Sequence, residues 1–383
     1  MRLIVADPID SGHHLEYLGL ILDAFGKAPA NEGEILFLVT ERAAQELLLR
    51  QVPGNVQIEA LEKKHLDPEA LLSYIGHRMK EPARLFLPRI NTFLLPLLCC
   101  RVSASVVSGI WFSPQSAGFV HGGGIMERLR GLLELVRIRR MRRNNRLRRL
   151  YVLNDPETVS FMKQWTDLQG GVHCLPDPAD ITALSECDVE AVRQELGIPA
   201  DAKVFALLGA LRSGKGVTEA LAAIRNYNPL DGRPCTLLVA GEVLPGFEGD
   251  LESALNRFKG AASIQLVTDL TYLKPDRFAS YLSIADFLLL PYQNTFGSSG
   301  ILGHAARTRT PVIASAGGLV GKLTREYELG HTFKSNDVPA FHGALNAALA
   351  GSVTMEPLKA DEYLRRNSGQ GFKEKLLQME FDR

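Results

Sequence analysis

The sequence has no excess of either charge, few cysteines and no long apolar run, and each of these absences excludes a class of protein. Its 43 basic and 43 acidic residues give a net charge of +0, so we expect no nucleic-acid partner. Five cysteines without a CxxC spacing fit reduced thiols in a cytosolic protein. The most apolar stretch, residues 93–100, is far shorter than the roughly 20 residues that span a bilayer. An acidic residue at position 7 interrupts any signal peptide, and we expect a cytoplasmic protein without a transmembrane helix.

Several motifs of common enzyme classes are also missing. No GxGxxG follows the first predicted strand, which disfavours a nicotinamide-dependent dehydrogenase. The loop at 209–216 is not a Walker A loop, because Gly216 follows Lys215 where that motif has serine or threonine. There is no Asp-x-Asp metal motif, and the adjacent His13 and His14 lack the further ligands that zinc needs. We therefore expect neither a bound metal nor a cofactor.

The pattern that is present is an alternation of short apolar runs with amphipathic ones, which is typical of βα units that build parallel sheets. A length of 383 residues suggests about two domains. We predict strands in the first half at 3–5, 35–39, 56–60, 106–110 and 150–153, and in the second half at 204–208, 236–240, 263–267, 287–290 and 312–314. A strand-like run at 171–174 precedes the stretch LPDPAD, residues 175–180, which is the predicted hinge.

These patterns predict an α/β fold of two doubly wound domains followed by C-terminal helices. The predicted bounds are 1–180 for the first domain, 181–355 for the second and 356–383 for the helices. We expect the last helix, around residues 372–379, to cross back onto the first domain.

The loop that follows the strand at 204–208 has groups suited to an anion. It reads GALRSGKG and places Arg212 and Lys215 before a helix N-terminus, whose amides and dipole favour negative charge. A diphosphate fits this arrangement. The alternative is a solvated turn with two surface cations.

A second loop, PYQNTFGSSG, follows the strand at 287–290. If Ser298 is the N-cap of the next helix, the amides of Ser299, Gly300 and Ile301 point outward towards an acceptor. A capped core helix is the alternative. Because ligands of open parallel sheets bind beyond the carboxyl ends of the strands, we expect both loops at one sheet edge around a single pyrophosphate.

Five motifs occur in a fixed order between Val204 and Phe333: GALRSGKG, LLVAGE, YLSIADFLLLPY, FGSSG and TPVIASAGGLVG. Together they resemble the C-terminal domain of glycosyltransferase family 4, and the stretch VHCLPDPADI resembles its interdomain segment. The resemblance implies a GT-B fold, in which two Rossmann-like domains face each other across a cleft and the second domain holds a nucleotide-sugar.

The resemblance also implies roles for the two loops. Arg212 and Lys215 are expected to contact the donor diphosphate, and the Ser298-Ser299-Gly300 segment to complete the same pocket. Sugar transfer in this family proceeds with retention of configuration. Fixed cations and amides stabilise the departing diphosphate, so no protein nucleophile is required.

Two positions depart from the family pattern. Family members usually have two glutamates here, and this sequence has Phe296 and His304 in their places. A histidine ring nitrogen can still accept from the ribose hydroxyls, which makes His304 a candidate substrate contact, but phenylalanine cannot replace a carboxylate that faces the sugar.

In the first domain, the resemblance makes Gly12, His13 and His121 candidate contacts for sugar hydroxyls. Gly12 and His13 lie in the loop after the first strand, where the family has a glycine-bearing loop. His121 lies in the sequence FVHGGG, where the family often has a cleft histidine. A histidine in an ordinary turn is the alternative for His121.

The segment from Arg128 to Arg149 is rich in arginine, and Leu129, Leu132, Leu133 and Val136 mark one helical face within it. Such a helix can lie on anionic lipid, where each cation contributes on the order of 1 kcal/mol. This predicts a protein at the inner surface of the membrane. A solvated or RNA-attracting face is the alternative.

The leading hypothesis is a glycosyltransferase of polysaccharide biosynthesis. It would move a hexose-type sugar, with retention, from a nucleoside-diphosphate sugar to a glycan or a lipid-linked saccharide. The two missing glutamates motivate the alternative, a non-catalytic GT-B protein that binds nucleotide-sugars.

Overall fold

The computed structural model describes residues 3–9, 14–29, 33–78, 83–99, 106–143, 147–180, 187–230, 232–258, 263–293 and 296–381. The chain divides into two compact units. The first unit comprises residues 1–177, 296–298 and 368–383, and the second comprises residues 178–295 and 299–367.

The first unit is built on a parallel seven-stranded sheet in the order β3-β2-β1-β4-β5-β6-β7. The strands are β1 Leu3–Asp7, β2 Ile35–Val39, β3 Val56–Ala60, β4 Arg84–Leu87, β5 Val106–Trp111, β6 Leu147–Leu153 and β7 Val172–Leu175. The helices are α1 His14–Phe25, α2 Glu41–Leu48, α3 Pro68–Arg78, α4 Leu94–Cys99, α5 Ala117–Val120, α6 Ile125–Arg143 and α7 Pro156–Thr166, with 3-10 turns at Lys63–His65 and Ile90–Phe93.

The second unit is built on a parallel six-stranded sheet in the order β10-β9-β8-β11-β12-β13. The strands are β8 Lys203–Leu208, β9 Cys235–Ala240, β10 Gln265–Asp269, β11 Phe287–Leu290, β12 Val312–Ser315 and β13 Gly330–Phe333. The helices are α8 Val189–Glu195, α9 Val217–Arg225, α10 Glu248–Phe258, α11 Pro275–Ile284, α12 Gly300–Thr308, α13 Gly318–Glu326, α14 Val338–Leu349 and α15 Pro357–Arg366.

Both sheets have the doubly wound strand order, so the predicted fold class is confirmed. Central strands such as β1 and β2 are buried along their whole length, because helices cover both faces of a parallel sheet. The prediction was wrong in detail at three strands. It missed β4, which has only four residues between Pro82 and Pro88, and β13, which begins at a glycine, and it placed β10 two residues too early.

The last helix, α16 Gly369–Phe381, belongs to the first unit and packs against α1. Its Glu380 is 1% exposed. The Glu380 carboxylate accepts hydrogen bonds from Arg84 Nη2 at 2.8 Å, Ser108 Oγ at 2.8 Å and Tyr151 Oη at 2.6 Å. Arg149 donates to the Glu380 main-chain oxygen at 2.9 Å. Polar groups from β4, β5 and β6 therefore converge on one buried carboxylate of α16.

Candidate functional site

The β8–α9 loop lies against the chain that leaves β11. Gly216, the N-cap of α9, has a φ of 69°, and a Cβ atom at this position would lie 1.8 Å from the Pro291 carbonyl oxygen. Only glycine tolerates both the left-handed backbone and this approach. The Gln293 amide donates to the Gly214 carbonyl oxygen at 2.8 Å, which joins the two loops directly. The strand order explains this contact, because β8 and β11 are neighbours in the sheet.

Side chains connect the same two loops. Lys215 Nζ donates to Tyr292 Oη at 2.7 Å, and Tyr292 Oη lies 2.9 Å from Ser299 Oγ. Ser299 is the N-cap residue of α12, but its side chain makes no hydrogen bond to the helix amides. The first amides of a helix have no partner within the helix, so α12 presents N–H donors at Gly300 and Ile301 beside this chain of polar groups.

Arg212 lies in the β8–α9 loop. It is exposed, and its Nη1 donates to the Ser213 carbonyl oxygen in the same turn at 3.3 Å. The structure thus brings Lys215, Ser299 and the start of α12 together at the carboxyl edge of the second sheet, with Arg212 in the same loop as Lys215. Tyr292 was missed, because a tyrosine after an apolar strand has no pattern that distinguishes it from a core residue.

The predicted N-cap at Ser298 was wrong by one residue, since α12 begins after Ser299. Residues 296–298 pack with the first unit instead. Gly297 lies so close to this unit that a Cβ atom would be 2.3 Å from Ser113 Oγ and 2.6 Å from the Phe112 carbonyl oxygen. The Ser298 Oγ is buried and has no hydrogen-bond partner among the described residues.

The two positions where the family has glutamates are both buried. Phe296 is 7% exposed. His304 is 4% exposed within α12, and its ring meets the Phe278 ring edge-on at a centroid distance of 4.8 Å. Both side chains therefore contribute to packing.

In the first unit, His121 lies just beyond α5 and is held by Asp155. Its Nε2 lies 2.7 Å from Asp155 Oδ2, and both side chains are almost fully buried. Asp155 Oδ1 also accepts the Thr158 amide at 3.0 Å and so caps α7. Asp155 was missed as a site residue, although an Asp followed by Pro156 is a helix-start signal. Gly12 and His13 lie outside the described residues.

Helix α6 follows the sequence FVHGGG and has two apolar faces. It ends at Arg143, so the prediction of one basic helical segment from Arg128 to Arg149 was wrong at its C-terminal end: Arg148 and Arg149 lie in β6, and Arg149 is only 9% exposed. One face packs into the unit through Leu135, Ile138 and Met141. The opposite face exposes six apolar side chains, which are 43–79% accessible: Ile125, Met126, Leu129, Leu132, Leu133 and Val136. We call these six residues the exposed stripe. No helix in the described part of the chain is long and apolar enough to cross a membrane.

The buried face of α6 also holds the segment that leads to His121. Glu134 accepts the Gln115 amide at 2.8 Å and the Ser116 amide at 3.0 Å. Burial raises the pKa of Glu134 to about 7, and the two amides oppose the shift. The Glu134 carboxylate on α6 therefore accepts hydrogen bonds from two main-chain amides that lie just before α5.

The raised pKa of Glu134 predicts a pH-dependent stability. The folded protein binds a proton at Glu134 more tightly than the unfolded chain does, because the pKa rises from 4.5 to about 7 on folding. The free energy of unfolding should therefore fall by up to about 3 kcal/mol between pH 4.5 and pH 7. Glu134→Gln should flatten this dependence in denaturant titrations at pH 5 and pH 8. The exposed Glu69→Gln should leave it unchanged, and an equally steep dependence in Glu134→Gln would contradict the assignment.

Comparisons with known proteins agree with this architecture. Residues 188–368 match the model of the family described as glycosyl transferases group 1. The whole fold is similar to HepE from Anabaena in complex with UDP-glucose, with a TM-score of 0.70 and 13% identity over 99% of this chain and 98% of that one. It is also similar to sucrose-phosphate synthase from Thermosynechococcus elongatus, with a TM-score of 0.68 and 14% identity over 99% and 98% of the two chains.

A further similar structure is WaaG, a glycosyltransferase involved in lipopolysaccharide biosynthesis, with a TM-score of 0.65 and 14% identity over 99% of both chains. No curated protein matches the chain by sequence. At such low identities these likenesses show the fold, which is GT-B.

Proposed function

Because residues 188–368 match the group 1 glycosyl transferases, we propose that this chain is a glycosyltransferase that takes its sugar from a nucleoside-diphosphate donor. The observation that carries the proposal is the joining of two loops at one edge of the second sheet. There Lys215 and the N-terminus of α12 present a cation, together with amides that have no partner within the helix, to the same place. Such a combination suits the two phosphates of a nucleotide-sugar.

The proposed chemistry needs charge stabilisation rather than a nucleophile from the protein. As the bond from the sugar to the diphosphate breaks, negative charge grows on the leaving oxygen. Lys215, Arg212 and the amides of Ser299 and Gly300 are the donors that stabilise this charge, and Ser298 is proposed to contribute to the same binding site. This arrangement is compatible with transfer of a hexose with retention of configuration.

In the first unit we propose that His121, held by Asp155, orients hydroxyl groups of a sugar. Gly12 and His13 are proposed to act in the same role. We do not propose that His304 contacts the nucleotide-sugar, because its ring is buried against Phe278.

A second candidate function is binding of nucleotide-sugars without catalysis, which the buried Phe296 and His304 favour. Calorimetric titration with nucleoside-diphosphate sugars of different bases should identify the donor. An assay for released nucleoside diphosphate, with and without candidate acceptors, then separates the two functions. Binding without turnover would support the second candidate, and the absence of binding would contradict both.

We also propose that the protein acts at an anionic membrane surface and that its acceptor is lipid-linked. Arginines flank and extend the exposed stripe on α6: Arg128, Arg130, Arg137, Arg139, Arg140 and Arg143. Nearby, Arg139 lies over the ring of Trp165, which is 41% exposed. An apolar helix face bordered by cations and an exposed tryptophan suits the boundary between lipid head groups and acyl chains. Only three residues separate His121 from Ile125, the first residue of the stripe.

Leu129→Glu with Leu133→Glu should abolish binding to phosphatidylglycerol vesicles. The two leucines are 50% and 56% exposed, so the substitutions add charge to the stripe without opening the core. We expect at least a tenfold loss in vesicle flotation, because two apolar side chains leave the lipid and two anions face an anionic surface.

The matched control is Leu48→Glu with Leu49→Glu, which changes two leucines of the same unit that are 59% and 84% exposed. This control should float as the unmodified protein does, and phosphatidylcholine vesicles should bind all variants weakly. Equal flotation of the stripe variant and the control would contradict the membrane proposal.

A further inference from the structure

The hydroxyl group of Tyr292 lies between the two loops of the proposed donor site. Tyr292 is 7% exposed, and its oxygen is 2.7 Å from Lys215 Nζ and 2.9 Å from Ser299 Oγ. Lys215 Nζ also lies 3.9 Å from the centre of the tyrosine ring. Among the described residues, Lys215 and Ser299 are the hydrogen-bond partners of this hydroxyl.

The chemistry of the three groups fixes the direction of these hydrogen bonds. A lysine ammonium has three donors and no acceptor, so the Tyr292 oxygen must accept from Lys215. A buried phenol needs an acceptor for its own hydrogen, and among the described residues Ser299 Oγ is the oxygen within reach. Tyr292 therefore donates to Ser299.

This direction leaves hydrogen-bond donors at both ends of the series Lys215–Tyr292–Ser299. The Ser299 oxygen already accepts from Tyr292, so its own hydrogen is available to a further acceptor. Lys215 uses one of its three N–H groups on Tyr292, and the described residues offer no partner for the other two. Both ends therefore present hydrogens to an acceptor-rich ligand, beside the α12 amides.

We infer that Tyr292 is a positioning residue, which holds Lys215 and Ser299 so that both donate to the same β-phosphate of a nucleoside diphosphate. The inference rests on the proposed function and adds a residue to it. Without the phenol oxygen, Lys215 loses its anchor and becomes a flexible surface cation. Ser299 would then be able to turn its oxygen towards the amides of its own helix and accept from them, as serine N-caps commonly do.

The test is Tyr292→Phe, which keeps the ring beside Lys215 and removes only the hydroxyl. Calorimetric titration should show UDP binding weakened roughly tenfold, because hydrogen bonds to charged groups are the strong ones. UMP, which lacks the β-phosphate, should lose much less. A purely structural defect would weaken UDP and UMP alike.

A double-mutant cycle asks whether Tyr292 acts through Lys215. Once Lys215→Ala is present, adding Tyr292→Phe should produce a clearly smaller further loss of UDP affinity than it does alone. Ser299→Ala provides a second variant that removes the other end of the chain, and it should weaken UDP binding to a similar extent as Tyr292→Phe.

The matched control is Tyr227→Phe, which deletes a buried phenol of the same unit that donates to Asn346 Oδ1 at 2.6 Å. It should bind UDP as the unmodified protein does. UDP binding that is unchanged in Tyr292→Phe, or losses that add fully in the cycle, would overturn the inference alone. If the unmodified protein binds no nucleoside diphosphate, the proposed function and this inference fail together.

Discussion

Replacing Arg212 and Lys215 together by alanine is expected to weaken binding of a nucleoside diphosphate, tested here with UDP as the probe, by about a hundredfold or more. Each cation is proposed to make a charge-assisted hydrogen bond to the diphosphate, and such bonds contribute about 1.5–3 kcal/mol each. The fold should change little. Arg212 is exposed, its hydrogen bond to the described part of the chain lies within its own turn, and exposed loop cations add little to stability.

The measurement is calorimetric titration with UDP, alongside melting temperatures that verify folding. Arg257→Ala with Arg365→Ala is a suitable control, because it also removes two positive charges from exposed positions of the second unit. The control should bind UDP normally, which separates local contacts from a general effect of net charge. Unchanged affinity in the Arg212 and Lys215 variant would remove the donor site that we propose.

The general position of this site follows from the sequence, since it needs only a rule of topology. Loops after β8 and β11 must share an edge once the sheet is known to be parallel, and the apolar runs indicate such a sheet. What the sequence does not contain is the contact of residues 296–298 with the first unit. In the structure α12 starts after Ser299, and no local capping rule anticipates that residues 296–298 pack with the first unit.

Helix α6 shows a different limit. Its apolar positions at Leu129, Leu132, Leu133 and Val136 predict one helical face, and the structure contains that face. Periodicity alone cannot say whether such a face is buried or exposed, because α6 has a second apolar face on its opposite side. Packing against neighbouring elements decides which face of α6 is buried. In the structure the face with Leu135 is buried, and the predicted face is exposed to solvent.

Buried polar residues are the least predictable from sequence. Glu380 looks like an ordinary acidic residue near the end of an amphipathic helix, and its partner Arg84 lies 296 positions earlier in the chain. Asp155 and Glu134 likewise acquire their roles from groups that only the fold brings near. Such residues are recognisable once burial and partners are known, since charged groups are rarely buried without them.

Glu380→Ala is expected to destabilise the first unit by about 3–5 kcal/mol, because it removes one partner of a buried ionic network and leaves the others desolvated. Arg84 and Arg149 would lose their counter-charge, and Ser108 and Tyr151 would lose their acceptor. Glu380→Gln keeps the shape of the side chain and should cost less.

The two tryptophans make this effect measurable in one unit alone. Trp111 and Trp165 are the only tryptophans of the sequence and both lie in the first unit, so denaturation followed by tryptophan fluorescence reports on that unit. Glu374→Ala, an exposed change on the same helix, should shift the free energy of unfolding by less than about 0.5 kcal/mol. A Glu380→Ala protein as stable as this control would mean that α16 is held by its apolar contacts alone. The expected loss would instead make the C-terminal helix part of the first unit's core, joined to β4, β5 and β6 through one carboxylate.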